Sequence, residues 1–136
     1  MVALYAHQPQ QLPFTNAPPT IVNPPKLPEL DALERIIELG AHWLQSRVVC
    51  EAKLPEGGRY PVHVITLGNP SHDVPAVGYF GGVHGLERIG AEVVIAYLQT
   101  LVMRLQWDST LHKQLESVRL VFMPIVNPGG MGLGTR

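Results

Sequence analysis

Apolar and polar residues recur with two different periods along the chain, and each change of period marks a predicted element. From Leu30 the apolar residues recur at helical spacing. Gly40 falls inside this pattern, so the sequence predicts either one helix to about Arg47 or a helix broken at the glycine. Alternation with period two then predicts strands over residues 48–54 and 60–67. The Pro-Glu-Gly-Gly turn between them predicts an antiparallel hairpin.

The second half of the chain predicts a strand, a long helix, a short helix and a strand. Residues 74–80 indicate a buried strand, and residues 118–126 form an almost continuous apolar run, as expected of a strand covered on both faces. Residues 109–116 predict the short helix. A strand–helix–strand order gives a right-handed crossover and parallel pairing. The long helix runs from near residue 86 to near residue 107, and its predicted core face comprises Ile89, Val93, Val94, Tyr97, Leu98, Leu101 and Leu105.

These elements predict an α/β fold with a mixed sheet and helices on both faces. Residues 1–28 differ from the remainder, because seven prolines interrupt them too often for a helix or a central strand. We therefore expect residues 1–28 to be a proline-rich extended arm, and residues 29–136 to be an α/β domain.

Composition excludes several classes of protein. The chain has 136 residues, of which 46% are hydrophobic and 15% are charged, and its net charge is −1. Because no basic surface is indicated, neither nucleic acid nor a membrane is an expected partner. The single cysteine, Cys50, excludes an internal disulfide and a cysteine zinc cluster, and we expect it to be buried in a strand. The N-terminus lacks a basic region followed by an apolar core, so we expect a cytoplasmic protein.

The candidate chemistry lies where the third predicted strand gives way to the long helix. Residues 81–87 read Gly-Gly-Val-His-Gly-Leu-Glu. His84 offers a ring nitrogen and Glu87 a carboxylate, and zinc accepts both in one coordination sphere. Open α/β sheets place their sites at the carboxyl ends of strands. A structural turn, or a carboxylate that caps the helix, is the alternative interpretation.

A second glycine-rich segment, residues 127–136, follows the last predicted strand. Since parallel strands end at the same edge of a sheet, this segment should lie beside the first. It begins with Asn127 and ends with Arg136, whose guanidinium would be a planar donor near His84 and Glu87. A substrate carboxylate or a developing oxyanion would accept from such a donor. Ending at Arg136, the chain looks truncated.

Taken together, the two segments resemble the metallocarboxypeptidase superfamily (peptidase family M14). The resemblance rests on Gly-Gly-Val-His-Gly-Leu-Glu at residues 81–87 and Met-Pro-Ile-Val-Asn-Pro-x-Gly at residues 123–130, and it covers about residues 60–136. It implies the N-terminal part of a phosphorylase/hydrolase-like zinc carboxypeptidase fold. It also implies that His84 and Glu87 are ligands of a zinc ion.

The resemblance further implies that Arg136 contacts the scissile carbonyl and that Asn127 and Arg136 bind the substrate. The sequence departs from the usual family pattern at two positions. Gly129 stands where the family commonly has aspartate, and the His-Gly-x-Glu form with Gly85 is similar to the aspartoacylase and succinylglutamate-desuccinylase branch. The family's third zinc ligand, its carboxylate-binding pair and its catalytic glutamate belong downstream of this sequence.

Three functions therefore remain open. The first is a zinc carboxypeptidase, in which metal-activated water cleaves a C-terminal peptide bond. The second is an amidohydrolase of small N-acyl amino acids, and the third is an inactive fragment or binding module. The expected partner is a peptide or acylated amino acid, and an unpaired sheet edge would allow a homo-oligomer.

Overall fold

A computed structural model describes residues 23–135 as a four-stranded sheet with helices packed on it. Most of the predicted proline-rich arm, residues 1–22, and Arg136 lie outside the described residues. Among residues 23–135, no helix has the length and apolar content needed to cross a membrane. The strands are β1 (Leu44–Lys53), β2 (Arg59–Gly68), β3 (Ala76–Phe80) and β4 (Arg119–Met123), and the helices are α1 (Pro28–Leu39), α2 (Arg88–Leu105), α3 (Ser109–Leu115) and α4 (Pro128–Leu133).

The sheet is mixed, with the strand order β1-β2-β4-β3. Strands β1 and β2 form the predicted antiparallel hairpin, and β2 also pairs antiparallel with β4. Strand β3 pairs parallel with β4 across the α2–α3 crossover. The α/β fold predicted from the sequence is therefore confirmed. Its consequence for function is that β3 and β4 end at the same edge of the sheet.

The first helix ends at Gly40, so the helix continuing to Arg47 is the wrong alternative. A Cβ at Gly40 would lie 2.5 Å from Cδ1 of Leu44 and 2.9 Å from Cγ2 of Val102. The glycine therefore lets the chain turn closely against α2. After that turn Leu44 opens β1, where it pairs with Leu67.

The core lies where α1, α2 and α3 pack against the sheet. Its fully buried side chains include Leu33, Ile65, Leu98 and Phe122. Helix α4 packs near the hairpin end of β1 and β2, where its Gly132 lies against the Tyr60 ring. Burial of apolar area here is the main stabilising term, at about 25 cal/mol per Å².

One of the two strands expected to be buried, β3, is largely exposed. In β3, Val77 is 43% exposed and Phe80 is 62% exposed, and β3, at one edge of the sheet, pairs only with β4 among the described residues. Strand β1 forms the other edge, and Cys50 is exposed there, so its predicted burial is wrong. In β4, Leu120 and Phe122 are buried while alternate residues are half-buried.

The predicted core face of α2 is confirmed in its C-terminal half, where Leu98, Leu101 and Leu105 are buried, and is wrong near its start. Ile89 and Val93, both predicted to face inward, are 68% and 59% exposed. Ala91, Ile95 and Val102 are buried instead. Because α2 is apolar on two faces, its periodicity alone did not define which face packs against the sheet.

The start of α3 provides a prediction about acid stability. Asp108 accepts hydrogen bonds from the backbone N–H groups of Thr110 and Leu111, each at 3.0 Å, and Arg104 Nη2 donates to it at 2.5 Å. The hydrogen bond from Arg104, followed by that from Leu111, lowers the pKa of the Asp108 carboxyl. Stabilisation by this carboxylate is complete above the unfolded-state pKa and is lost as the pH falls through the folded-state pKa.

We therefore expect Asp108→Asn to lower Tm at neutral pH and the difference from the unaltered protein to shrink in acid. Thermal unfolding followed by circular dichroism across the acid range measures this. A Tm difference that stays constant with pH would contradict the role assigned to the Asp108 charge.

Candidate metal centre

Backbone hydrogen bonds hold the two glycine-rich segments side by side. Gly81 donates to the Met123 carbonyl at 3.1 Å, and Val126 donates back to the Gly81 carbonyl at 2.9 Å. Asn127 continues the pattern by donating to the Gly82 carbonyl at 2.8 Å. The predicted proximity of the two segments is confirmed, and it places the turn that carries His84 directly beside the segment that follows β4.

His84 and Glu87 converge at this turn. Nδ1 of His84 lies 3.3 Å from Oε1 of Glu87, and the Glu87 N–H donates to the His84 carbonyl at 3.1 Å. Two ligands of a tetrahedral zinc ion, each about 2.0–2.1 Å from the metal, are separated by about 3.3 Å. The two side chains are 55% and 61% exposed, so a cation reaches them from solvent. Their spacing fits a shared metal ion.

The capping interpretation of Glu87 fits the structure less well. Glu87 is the N-cap residue of α2, yet its side chain makes no capping hydrogen bond. Its carboxylate is therefore not used by the helix end and lies beside His84 Nδ1, where a metal ion could bind both. In contrast, Asp108 and Asn127 do cap α3 and α4 through their side chains.

A third protein ligand is not found among residues 23–135. No group of three or more histidine, cysteine, aspartate or glutamate side chains in this range is arranged to hold a metal. His63 lies in the middle of β2, with Nε2 3.6 Å from Oε1 of Glu34. His72 contacts Arg119, and His112 Nε2 lies 2.8 Å from the Leu105 carbonyl. A hydrolytic zinc site uses three protein ligands and an open position, and the described residues supply two.

Asn127 has a clear structural role. Its side-chain oxygen accepts from the Gly130 N–H at 2.8 Å and so caps α4. Contact of Asn127 with a substrate stays a prediction. Arg136 lies outside the described residues, but the preceding Thr135 packs against Gly85. The segment leading to Arg136 thus runs along residues 81–87, the turn that carries the two candidate ligands His84 and Glu87 (the metal turn).

Arg88 is the site residue that sequence reasoning missed. Its Nη1 donates to Oε1 and Oε2 of Glu29 at 2.6 and 2.9 Å, and its Nη2 donates to the Met131 carbonyl at 2.7 Å. Glu29 is only 9% exposed and is the buried charged residue of the described chain. Since Glu29 and Arg88 are 59 positions apart, no local pattern in the sequence signals their contact.

Tyr60 lies near the ion pair formed by Arg88 and Glu29. Its hydroxyl donates to the Pro25 carbonyl, just before α1 begins. Burial raises the pKa of Tyr60, and the nearby Arg88 charge opposes that rise. The protonated hydroxyl therefore ties β2 to the start of the helix that carries Glu29.

The geometry defines an α/β protein in which a histidine and a glutamate, both of residue types that can bind a metal, converge at the carboxyl end of β3. A profile of the zinc carboxypeptidase family matches residues 57–136. The chain belongs to this family, as the sequence motifs indicated. Carboxypeptidase D of Anas platyrhynchos is 30% identical over 64 residues, a match that covers 45% of this chain and 5% of that protein.

Solved structures show the same fold at low sequence identity. The structure of thrombin-activatable fibrinolysis inhibitor superposes with a TM-score of 0.58 and 16% identity, covering 74% of this chain and 24% of that one. A metallo-carboxypeptidase from Burkholderia cenocepacia superposes with a TM-score of 0.58 and 20% identity, covering 78% and 28% respectively. The chain therefore spans about a quarter of the length of these structures.

Proposed function

We propose that the protein is a zinc-dependent hydrolase of the carboxypeptidase type, in which His84 and Glu87 are two of the metal ligands. The observation that carries this proposal is the 3.3 Å separation of His84 Nδ1 and Glu87 Oε1 at the carboxyl end of β3. Family membership supports the choice of zinc as the metal. The substrate on this proposal is a peptide with a free C-terminal carboxylate.

Within this proposal, residues of this chain would bind the metal ion and orient the substrate. Bound zinc would supply a Lewis acid and lower the pKa of a coordinated water. His84 and Glu87 would hold the ion, and with Glu87 as a ligand the proton acceptor is a different group. Arg136 would donate to the scissile carbonyl oxygen, and Asn127 and Arg136 would orient the substrate. Loss of such an oxyanion donor typically costs on the order of 100-fold or more in rate.

Removal and return of the metal test the proposal. The full protein, loaded with zinc, is expected to release the C-terminal residue from N-blocked dipeptides. A chelator should abolish this release, and stoichiometric zinc should restore it. The same preparations should be assayed on N-acetylated amino acids, because the His-Gly-x-Glu form of the turn suggested that class as the alternative.

The outcomes separate the three functions. Faster turnover of N-acetylated amino acids than of blocked dipeptides would replace the carboxypeptidase proposal with the amidohydrolase. Zinc-independent turnover of either substrate would overturn the metal assignment. A protein that binds no zinc and cleaves neither substrate would favour a binding role for the fold.

A further inference from the structure

Arg88 connects the metal turn to two other elements of the fold. It is the residue directly after Glu87, and its guanidinium bridges Glu29 at the start of α1 and the Met131 carbonyl in α4. Through α4, the bridge reaches the segment that ends in Thr135 and Arg136. The two halves of the candidate site are thus joined by one side chain, in addition to the backbone hydrogen bonds described above.

The chemistry of this bridge requires an arginine. The planar guanidinium presents several N–H donors in fixed directions, so one side of it engages the Glu29 carboxylate while Nη2 engages the carbonyl. A lysine ammonium is a point charge on a flexible stem and does not reproduce two directed contacts. Removing Arg88 alone would be costly, because the Glu29 carboxylate, only 9% exposed, would be left without its charged partner.

We propose that Arg88 is a positioning residue for the metal site, holding Glu87 and the α4 segment in a fixed relation. This inference rests on the proposed function, since it assigns a role toward the same metal. Arg88 makes no contact with His84 or Glu87 side chains among its hydrogen bonds and ion pairs. It acts through the backbone turn that it anchors. Groups that hydrogen-bond directly to metal ligands typically contribute 10- to 100-fold in metal affinity, so an effect at the lower end of this range is expected for Arg88, which acts one step further out.

The simpler explanation is that Arg88 only stabilises the fold, and the design of the variants separates the two roles. The double variant Glu29→Leu with Arg88→Met replaces the ion pair by apolar side chains and so leaves no unpaired buried charge. Arg88→Lys keeps a positive charge opposite Glu29 but loses the planar guanidinium that contacts Glu29 and the Met131 carbonyl at the same time. Arg104→Gln is the matched control, because it breaks an arginine–carboxylate pair at the other end of α2, where Arg104 contacts Asp108.

Zinc affinity should be measured on the full protein by competition with a chromophoric chelator, alongside Tm of the metal-free form. The double variant is expected to keep its Tm within a few degrees and to lose about 10-fold in zinc affinity. Arg88→Lys should lose less than the double variant, and Arg104→Gln should lower Tm without changing zinc affinity. Amide hydrogen exchange at Val126 and Asn127, which donate to the metal turn, should speed up in the double variant alone.

Wild-type zinc affinity in the double variant would overturn the positioning role while leaving the proposed function intact. Equal loss of zinc affinity in the double variant and in Arg104→Gln would also overturn it, because the effect would then follow stability alone. Failure of the unaltered protein to bind zinc would instead refute the proposed function and this inference together.

Discussion

Replacing His84 by alanine is expected to abolish zinc binding and hydrolysis while leaving the protein folded. The imidazole is 55% exposed and its ring contacts only Glu87 among the ion pairs of the described chain, so its loss opens no cavity in the core. Zinc content should fall from about one ion per chain to near zero, because a hydrolytic site that depends on three protein ligands does not hold the metal with one removed. Metal analysis and the dipeptide assay measure the two effects.

A histidine elsewhere in the protein provides the control. His72 lies in the loop before β3, at the opposite end of the strand from the metal turn, and it contacts Arg119. His72→Ala should retain both zinc and activity. If His84→Ala instead retained stoichiometric zinc, the metal would have to lie elsewhere, and the assignment of Glu87 would fail with it.

The sequence indicated that His84 and Glu87 would lie close together, because residues three positions apart on one helical turn are neighbours. Their side chains lie 3.3 Å apart, and their binding of a metal stays a prediction. The hairpin was equally predictable, because the Pro-Glu-Gly-Gly turn and the alternation on both sides of it act within about twenty residues. In both cases the information lies close together along the chain.

The errors arose where burial depends on distant neighbours. Strand β3 has an apolar sequence, yet Val77 and Phe80 are exposed, because the strand's own sequence does not determine what packs over each of its faces. Helix α2 is apolar on two sides, and only the position of the sheet selects Ile95 and not Ile89 for the core. An apolar pattern predicts that a residue can be buried. Which face is buried depends on what packs against it.

The contact between Arg88 and Glu29 shows the same limit for charged residues. Each is an ordinary helix-terminal charge in the sequence, and Glu29 is also the acidic residue expected in a first helical turn. Only the docking of α1 on α2 brings these two surface-like residues together as a partly buried ion pair beside the metal turn. Sequence reasoning that begins from motifs therefore identifies candidate metal ligands more readily than the residues that anchor the turn carrying them.

Gly85→Ala is expected to be the most damaging small substitution at the site. A Cβ on Gly85 would lie 2.0 Å from the Thr135 carbonyl oxygen and 2.2 Å from the Gly130 carbonyl carbon, both of them backbone atoms. Flexible side chains can move away from a new methyl group, but here a whole segment must move. Inserting a methyl group into a space this tight typically costs about 1–3 kcal/mol, and sometimes more.

The movement should affect catalysis in particular, because the displaced segment is the one that leads to Arg136. We therefore expect Gly85→Ala to lose hydrolytic activity more completely than it loses stability. Gly129→Ala is the matched control on the same segment. A Cβ at Gly129 would meet Cβ of Ala52 at 3.5 Å, an ordinary contact, and alanine favours the helix that begins there. Urea unfolding and the dipeptide assay on both variants test this, and equal stability and activity of the two would contradict the close packing of the metal turn against α4.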